Sequence, residues 1–101
     1  MNKFKLNFSI GGFGSKNYKI FNKVFDLVVE VDFFPTRHSL SKDKWEEFWK
    51  VIDEIDAWQW GKDYFNQDIL DGTQWELVID RKGKRRRRIF GSNDYPPNFK
   101  L

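Results

Sequence analysis

The side chains best placed to do chemistry in this chain are cations. Arg81-Lys82-Gly83-Lys84-Arg85-Arg86-Arg87-Arg88 sets seven positive groups within eight positions, and guanidinium forks match the geometry of phosphates and carboxylates. Carried on a protruding ribbon, such a cluster makes an electrostatic footprint for a polyanion or an acidic protein surface. The competing use is structural. Lysine and arginine on an edge strand keep sheets from pairing edge to edge, and the run could answer the acidic helix of its own domain.

Other chemistries lack their parts. The chain has no cysteine, so thiolate nucleophiles, thiolate metal sites and disulfides are excluded. The sole histidine, His38, has no recognisable serine partner and no second His or Cys with which to share a metal, so it is expected on the surface. Asp26, Glu30 and Asp32 take one phase of a strand, where cross-strand ion pairs with Lys3, Lys5, Lys19 and Lys23 are expected in place of a metal site. Gly11-Gly12-Phe13-Gly14-Ser15-Lys16 has the wrong spacing for a phosphate loop. The segment after it reads as a strand, not as the helix whose N-terminus would hold a phosphate. The expectation is a protein that is not an enzyme and uses no cofactor or metal.

Net charge is +3, but it is segregated: residues 1–25 carry +5, residues 26–80 carry −9 and residues 81–101 carry +7. One acidic and one basic surface follow, each able to steer a partner of opposite sign. No apolar run approaches the roughly 18 residues of a membrane span, and the start alternates where a signal peptide would have an apolar core. A cytoplasmic protein without membrane contact is expected.

The elements that must position the basic run can be read from periodicity. With 101 residues, eleven Phe and five Trp, the chain suffices for one domain with one aromatic core. Phe4, Leu6, Phe8 and Ile10 alternate with polar residues in a first strand; Tyr18 to Phe21 makes a second, Asn22-Lys23 a turn, and Val24 to Phe34 a long third strand ended by Pro35. Ser41 caps a helix from about Lys42 to Gln59, with Leu40 and Trp45 in staple positions, Trp45, Phe48, Trp49, Ile52 and Ile55 on its apolar stripe, and Gly61 as its stop. Lys62 to Leu70 reads as a connection. Trp58, Trp60 and Trp75 are expected as core rather than as a ligand cage. Trp75, Leu77 and Ile79 alternate in a fourth strand, and Gly83, free to take positive φ, turns the chain into a fifth. Two registers are open: one sets Trp75 beside Phe90, the other beside Ile89. In both the tip extends past the core and is wet on each side. The expected fold is α+β, a single antiparallel sheet of about five strands in the order β-β-β-α-β-β with one amphipathic helix packed on one face.

Asp71-Gly72-Thr73-Gln74-Trp75-Glu76-Leu77, a basic return strand, and Gly91-Ser92-Asn93-Asp94-Tyr95-Pro96-Pro97-Asn98-Phe99 together resemble a family of small uncharacterised bacterial and phage domains with the pattern DGTxWxL, a hairpin, then GSNxYPxNF. The resemblance extends over a preceding Gly-rich strand pair and one amphipathic helix. It implies that fold and no assigned activity, and it carries over no catalytic residue. This chain departs from the pattern in ending at Leu101, where such domains often continue into a final helix, and in an arginine-rich return strand.

Two functions follow as expectations. In one, the chain is a non-catalytic binding or inhibitor protein of phage or mobile-element type, anti-CRISPR-like or immunity-like, which binds a protein or nucleoprotein partner through its charged surfaces. In the other, it binds nucleic acid directly. The candidate contacts are Arg85, Arg86, Arg87 and Arg88, assisted by Arg81, Lys82 and Lys84. Neither the partner nor the oligomeric state is legible in the residues.

Overall fold

Alternating apolar and polar residues build a sheet whose two faces have different fates. The computed structural model describes residues 2–12, 16–65, 72–96 and 99. Its strands are β1 (Phe4–Gly12), β2 (Tyr18–Lys23), β3 (Asp26–Val31), β4 (Phe34–Ser39), β5 (Asp63–Phe65), β6 (Thr73–Arg81) and β7 (Arg87–Ser92), and the one α-helix, α1, spans Lys42–Glu54. They form one seven-stranded sheet in the order β4-β3-β2-β1-β6-β7-β5. All pairings are antiparallel except β5 with β7. The α+β class with one sheet and one helix is as expected; seven strands replace five.

The two extra strands have separate causes. The expected third strand folds back at Asp32-Phe33, both with positive φ, giving β3 and β4 joined by a two-residue turn. In the sequence Phe33 keeps the phase of Leu27, Val29 and Val31 although it lies in the turn, so periodicity alone could not see it. Pro35 therefore lies within β4 instead of ending a strand, which an edge position permits. The β2–β3 turn falls at Val24-Phe25, not Asn22-Lys23. Asn22 is diverted to a different task, its Oδ1 accepting from Leu6 N at 2.8 Å and its Nδ2 donating to the Phe4 and Val24 carbonyls. The other added strand, β5, sits inside the expected connection, with Phe90 N donating to Lys62 O beside it.

On the covered face, Leu6 and Phe8 of β1, Leu77 and Ile79 of β6 and Ile89 of β7 are buried against Trp45, Trp49 and Ile52 of α1. Ser41 caps the helix as expected, its Oγ accepting from Lys44 N at 3.3 Å. The helix ends at Glu54, seven residues before the expected stop at Gly61, and Asp56 just beyond it takes the left-handed conformation; a short polar side chain tolerates that region. A short 3-10 turn, Ala57–Gln59, then returns Trp58 and Trp60 to the core. Trp60 Nε1 donates to the free Ile55 carbonyl at the helix end and Trp58 Nε1 to Asp53 Oδ1 at 2.7 Å, so both rings are core as expected. Phe4 and Phe48 are only half-buried on its margin.

At the other end of the sheet the DGTxWxL and GSNxYPxNF segments meet around Trp75. Asn93 Oδ1 accepts from Thr73 N at 2.8 Å, Asn93 N donates back to Thr73 O, and Trp75 Nε1 donates to Asp94 O at 3.0 Å. The rings of Tyr95, Tyr64 and Phe99 pack on the indole. Trp75 stands opposite Gly91, where a Cβ would fall inside the indole. The β6–β7 register is thus neither expected one: Leu77 faces Ile89 and Ile79 faces Arg87, because only glycine fits beneath Trp75. Asp71, Pro97 and Asn98 lie outside the described residues.

Trp75→Ala is expected to cost about 3–5 kcal/mol as a buried aromatic deletion. Gly91→Ala should cost about 1–3 kcal/mol in the wild-type background and under about 0.5 kcal/mol once Trp75 is alanine, since the clash needs the indole. Urea unfolding of the four-protein cycle measures the coupling.

Candidate anion-binding surface

The basic run sits at the turn between β6 and β7, where Lys84 N donates to Arg81 O at 3.0 Å. Gly83 has φ +86° with open space where a side chain would project, the turn conformation its residue type led one to expect. The register then sorts the seven cations. Arg87 stands on the covered face opposite Ile79 and is half-buried, its Nη2 donating to the Trp60 carbonyl. The Arg81 guanidinium lies over the Trp49 ring at 5.4 Å and the Lys84 ammonium over Trp58 at 5.9 Å, both in cation–π range. Arg88 projects from the opposite face, over the Phe90 ring at 5.3 Å and 3.5 Å from Glu76 Oε2.

The tip from Lys82 to Arg86 is exposed, as expected, but the run is not free of the core throughout. On the helix side three of its cations fold back onto tryptophans, because α1 and the 3-10 turn reach as far as the end of β6. Sequence reasoning assigned those residues to a partner. The signal that could have placed them is the Trp49, Trp58, Trp60 series, whose rings must be covered by something at the helix end. Lys82, Arg85 and Arg86 remain exposed, with no hydrogen bond or ion pair among the described residues. Exposed Lys3 adjoins them, since Phe4 pairs with Arg81.

The acidic helix does not neutralise this turn. Among the described residues, the ion pairs of α1 are internal, Lys42 with Glu46 and Lys44 with Glu47. The expected ion pairs of the three strand carboxylates with Lys3, Lys5, Lys19 and Lys23 do not occur among the described residues. Asp26 binds Arg37 at 2.6 Å, Glu30 stands opposite Lys19, and Asp32 Oδ1 accepts from Asn17 N. No cluster of three metal-ligating side chains occurs among the described residues. His38 is exposed on β4 beside Thr36. Of the glycine-rich segment, Phe13, Gly14 and Ser15 lie outside the described residues, and among those described no helix is long and apolar enough to cross a membrane. No protein-family profile matches the chain, and no curated protein and no solved structure is significantly similar to it.

The sorting can be read as stability. Arg87→Met should cost about 1.5–3 kcal/mol, the range for a hydrogen bond to a charged donor. Arg85→Ala, at an exposed site without contacts, should stay within about 0.5 kcal/mol of the wild type. Guanidinium denaturation of the two variants checks both figures.

Proposed function

We propose that this chain is a non-catalytic binding protein that engages an anionic surface of a protein or nucleoprotein partner through the β6–β7 turn. Lys82, Arg85 and Arg86 are the contacts, with Arg88 on the flank. Arg81, Lys84 and Arg87 hold the ribbon in place. The observation that carries the reading is that division of labour: the last three rest on aromatic rings or a carbonyl of the core, while the first three face solvent with no carboxylate partner among the described residues. An arginine serving only internal charge balance would sit against an acid. One left open forms charge-assisted bonds on contact at little ordering cost, because the turn is already anchored.

The size of the contact set favours a compact acidic patch on a protein over a long nucleic-acid track. An inhibitor of phage or mobile-element type, anti-CRISPR-like or immunity-like, would act in this way, by occupying a charged surface its target needs. Direct nucleic-acid binding is the second reading, favoured by the placement of Lys3, next to Phe4 opposite Arg81, at the same end of the sheet as the turn. With three phosphates neutralised, its affinity would fall with a log–log salt slope of about −2.7, roughly fortyfold between about 50 and 200 mM salt.

Arg85→Glu/Arg86→Glu is expected to leave the melting temperature unchanged and to abolish capture of the protein partner that the wild-type bait retains after nuclease treatment. Capture that survives the double reversal would remove the turn from the interface. Oligonucleotide binding with the stated salt slope, and no nuclease-resistant partner, would instead select the second reading.

A further inference from the structure

The strand order brings a second group of cations to the end of the sheet that carries the basic turn. Lys5 of β1 and Lys23 of β2 are distant in sequence, but the Asn22 side chain bonds the β1 backbone at Leu6 and Phe4, so β2 runs beside β1 almost to its start. Lys5 and Asn7 alternate with the core residues Leu6 and Phe8, and Lys23 keeps the phase of Phe21, which stands opposite Asn7. Both lysines therefore project from the open face. Lys3 precedes Lys5 in the same phase, next to Phe4 opposite Arg81. All three are exposed, and none forms an ion pair among the described residues.

Two lysines side by side on one face repel each other, and the acids nearest them do not answer them. Asp26, opposite Lys23, is held by Arg37 at 2.6 Å. Asp80, opposite Lys5, is half-buried and without an ion pair among the described residues. Lys23, Lys5 and Asp80 lie on the adjacent strands β2, β1 and β6, within about 10 Å at the usual strand spacing, and β6 runs on from Asp80 into the turn at Lys82. The far end of the sheet has no such row: its Asp32-Phe33 turn, bonded to Asn17 at 2.8 Å, exposes Phe33 and Phe34 instead. A local conflict that the chain does not resolve marks a surface shaped for something outside it.

Resting on the reading of the turn as a contact, we infer that the contact surface continues across β1 and β2 through Lys3, Lys5 and Lys23, and that Asp80 selects the partner, an acidic protein surface that brings a lysine or arginine to this carboxylate. The choice between anionic partners follows from Asp80. A duplex carries one negative charge per about 1.7 Å of its axis, so a backbone laid across the row brings phosphate to Asp80 as well as to the lysines. Such a like-charge contact opposes binding. A folded protein can set a cation among its carboxylates, and Asp80 then favours it over a continuous polyanion.

Fluorescence anisotropy with the full chain, at about 100 mM salt where the Debye length is about 10 Å, tests both parts. The labelled probes are poly-L-glutamate, a random copolymer rich in glutamate with a minority of lysine, and a short DNA duplex. Taking about threefold in affinity per charge contact, Lys5→Gln/Lys23→Gln is expected to weaken copolymer binding about tenfold. Its unfolding midpoint should be equal or higher, because two repelling charges are gone. Lys3→Gln, ahead of β1, should weaken copolymer binding about threefold, and it decides the matter should the double variant fold poorly. Asp80→Asn should strengthen binding of the duplex and of poly-L-glutamate about threefold and leave the copolymer unchanged or weaker.

Lysine variants that bind the copolymer as the wild type does overturn the extended surface. Arg85→Glu/Arg86→Glu in the same assay then separates the two readings: loss of binding keeps the turn as a contact, and retention removes the turn as well. A wild type that binds the duplex more tightly than the copolymer, or an Asp80→Asn protein that gains equally on all the probes, overturns the selection by Asp80. A wild type that binds neither polypeptide overturns both parts.

Discussion

The indole of Trp75 fills the space that any side chain on Gly91 would need, and much of the molecule depends on that contact. It selects the β6–β7 register, and the register decides that Ile89 enters the core and Arg87 reaches the Trp60 carbonyl. The same indole is bonded to Asp94 O and stacked by Tyr64, Tyr95 and Phe99, so the strand, its return and the segment after it are tied at one point. The residues at this junction have a structural use: Gly91 makes room, Asn93 closes the strand ends and Trp75 is the post on which they converge.

A second dependence runs through the helix end. One helix of thirteen residues cannot cover seven strands, and large rings compensate for its short length. Trp58 and Trp60 leave the helix at Asp56, cap its free groups and extend the apolar layer toward the β6–β7 turn. There the layer is finished by Arg81 and Lys84, which lie over the Trp49 and Trp58 rings, and by Arg87, which donates to the Trp60 carbonyl, each keeping its charge near water. Part of the basic run is thus the outer shell of the core. Its remaining members protrude because they lie beyond the last ring.

The two ends of the sheet differ in kind. One is cationic and anchored on tryptophans; the other is aromatic, with a strained turn fixed against the β1–β2 connection. Strands of up to nine residues separate them, so contact at one end leaves the other accessible.

What the residues determined by themselves was mostly local. Alternation placed β1, β2 and β6, Ser41 placed the helix start, and Gly83 placed the main turn, because side-chain periodicity, an N-cap oxygen and freedom at positive φ act within a few residues. The tertiary structure decided what depends on distant partners. Asp32-Phe33 and Val24-Phe25 turn without glycine because paired strands hold them, and Asp56 ends the helix because Trp58 and Trp60 are drawn into the core. β5 exists because β7 offers it an edge. The roles of the seven cations were settled last and least locally: a run of arginines has no periodicity to read, and only the register under Trp75 determines which of them meet a ring and which meet water.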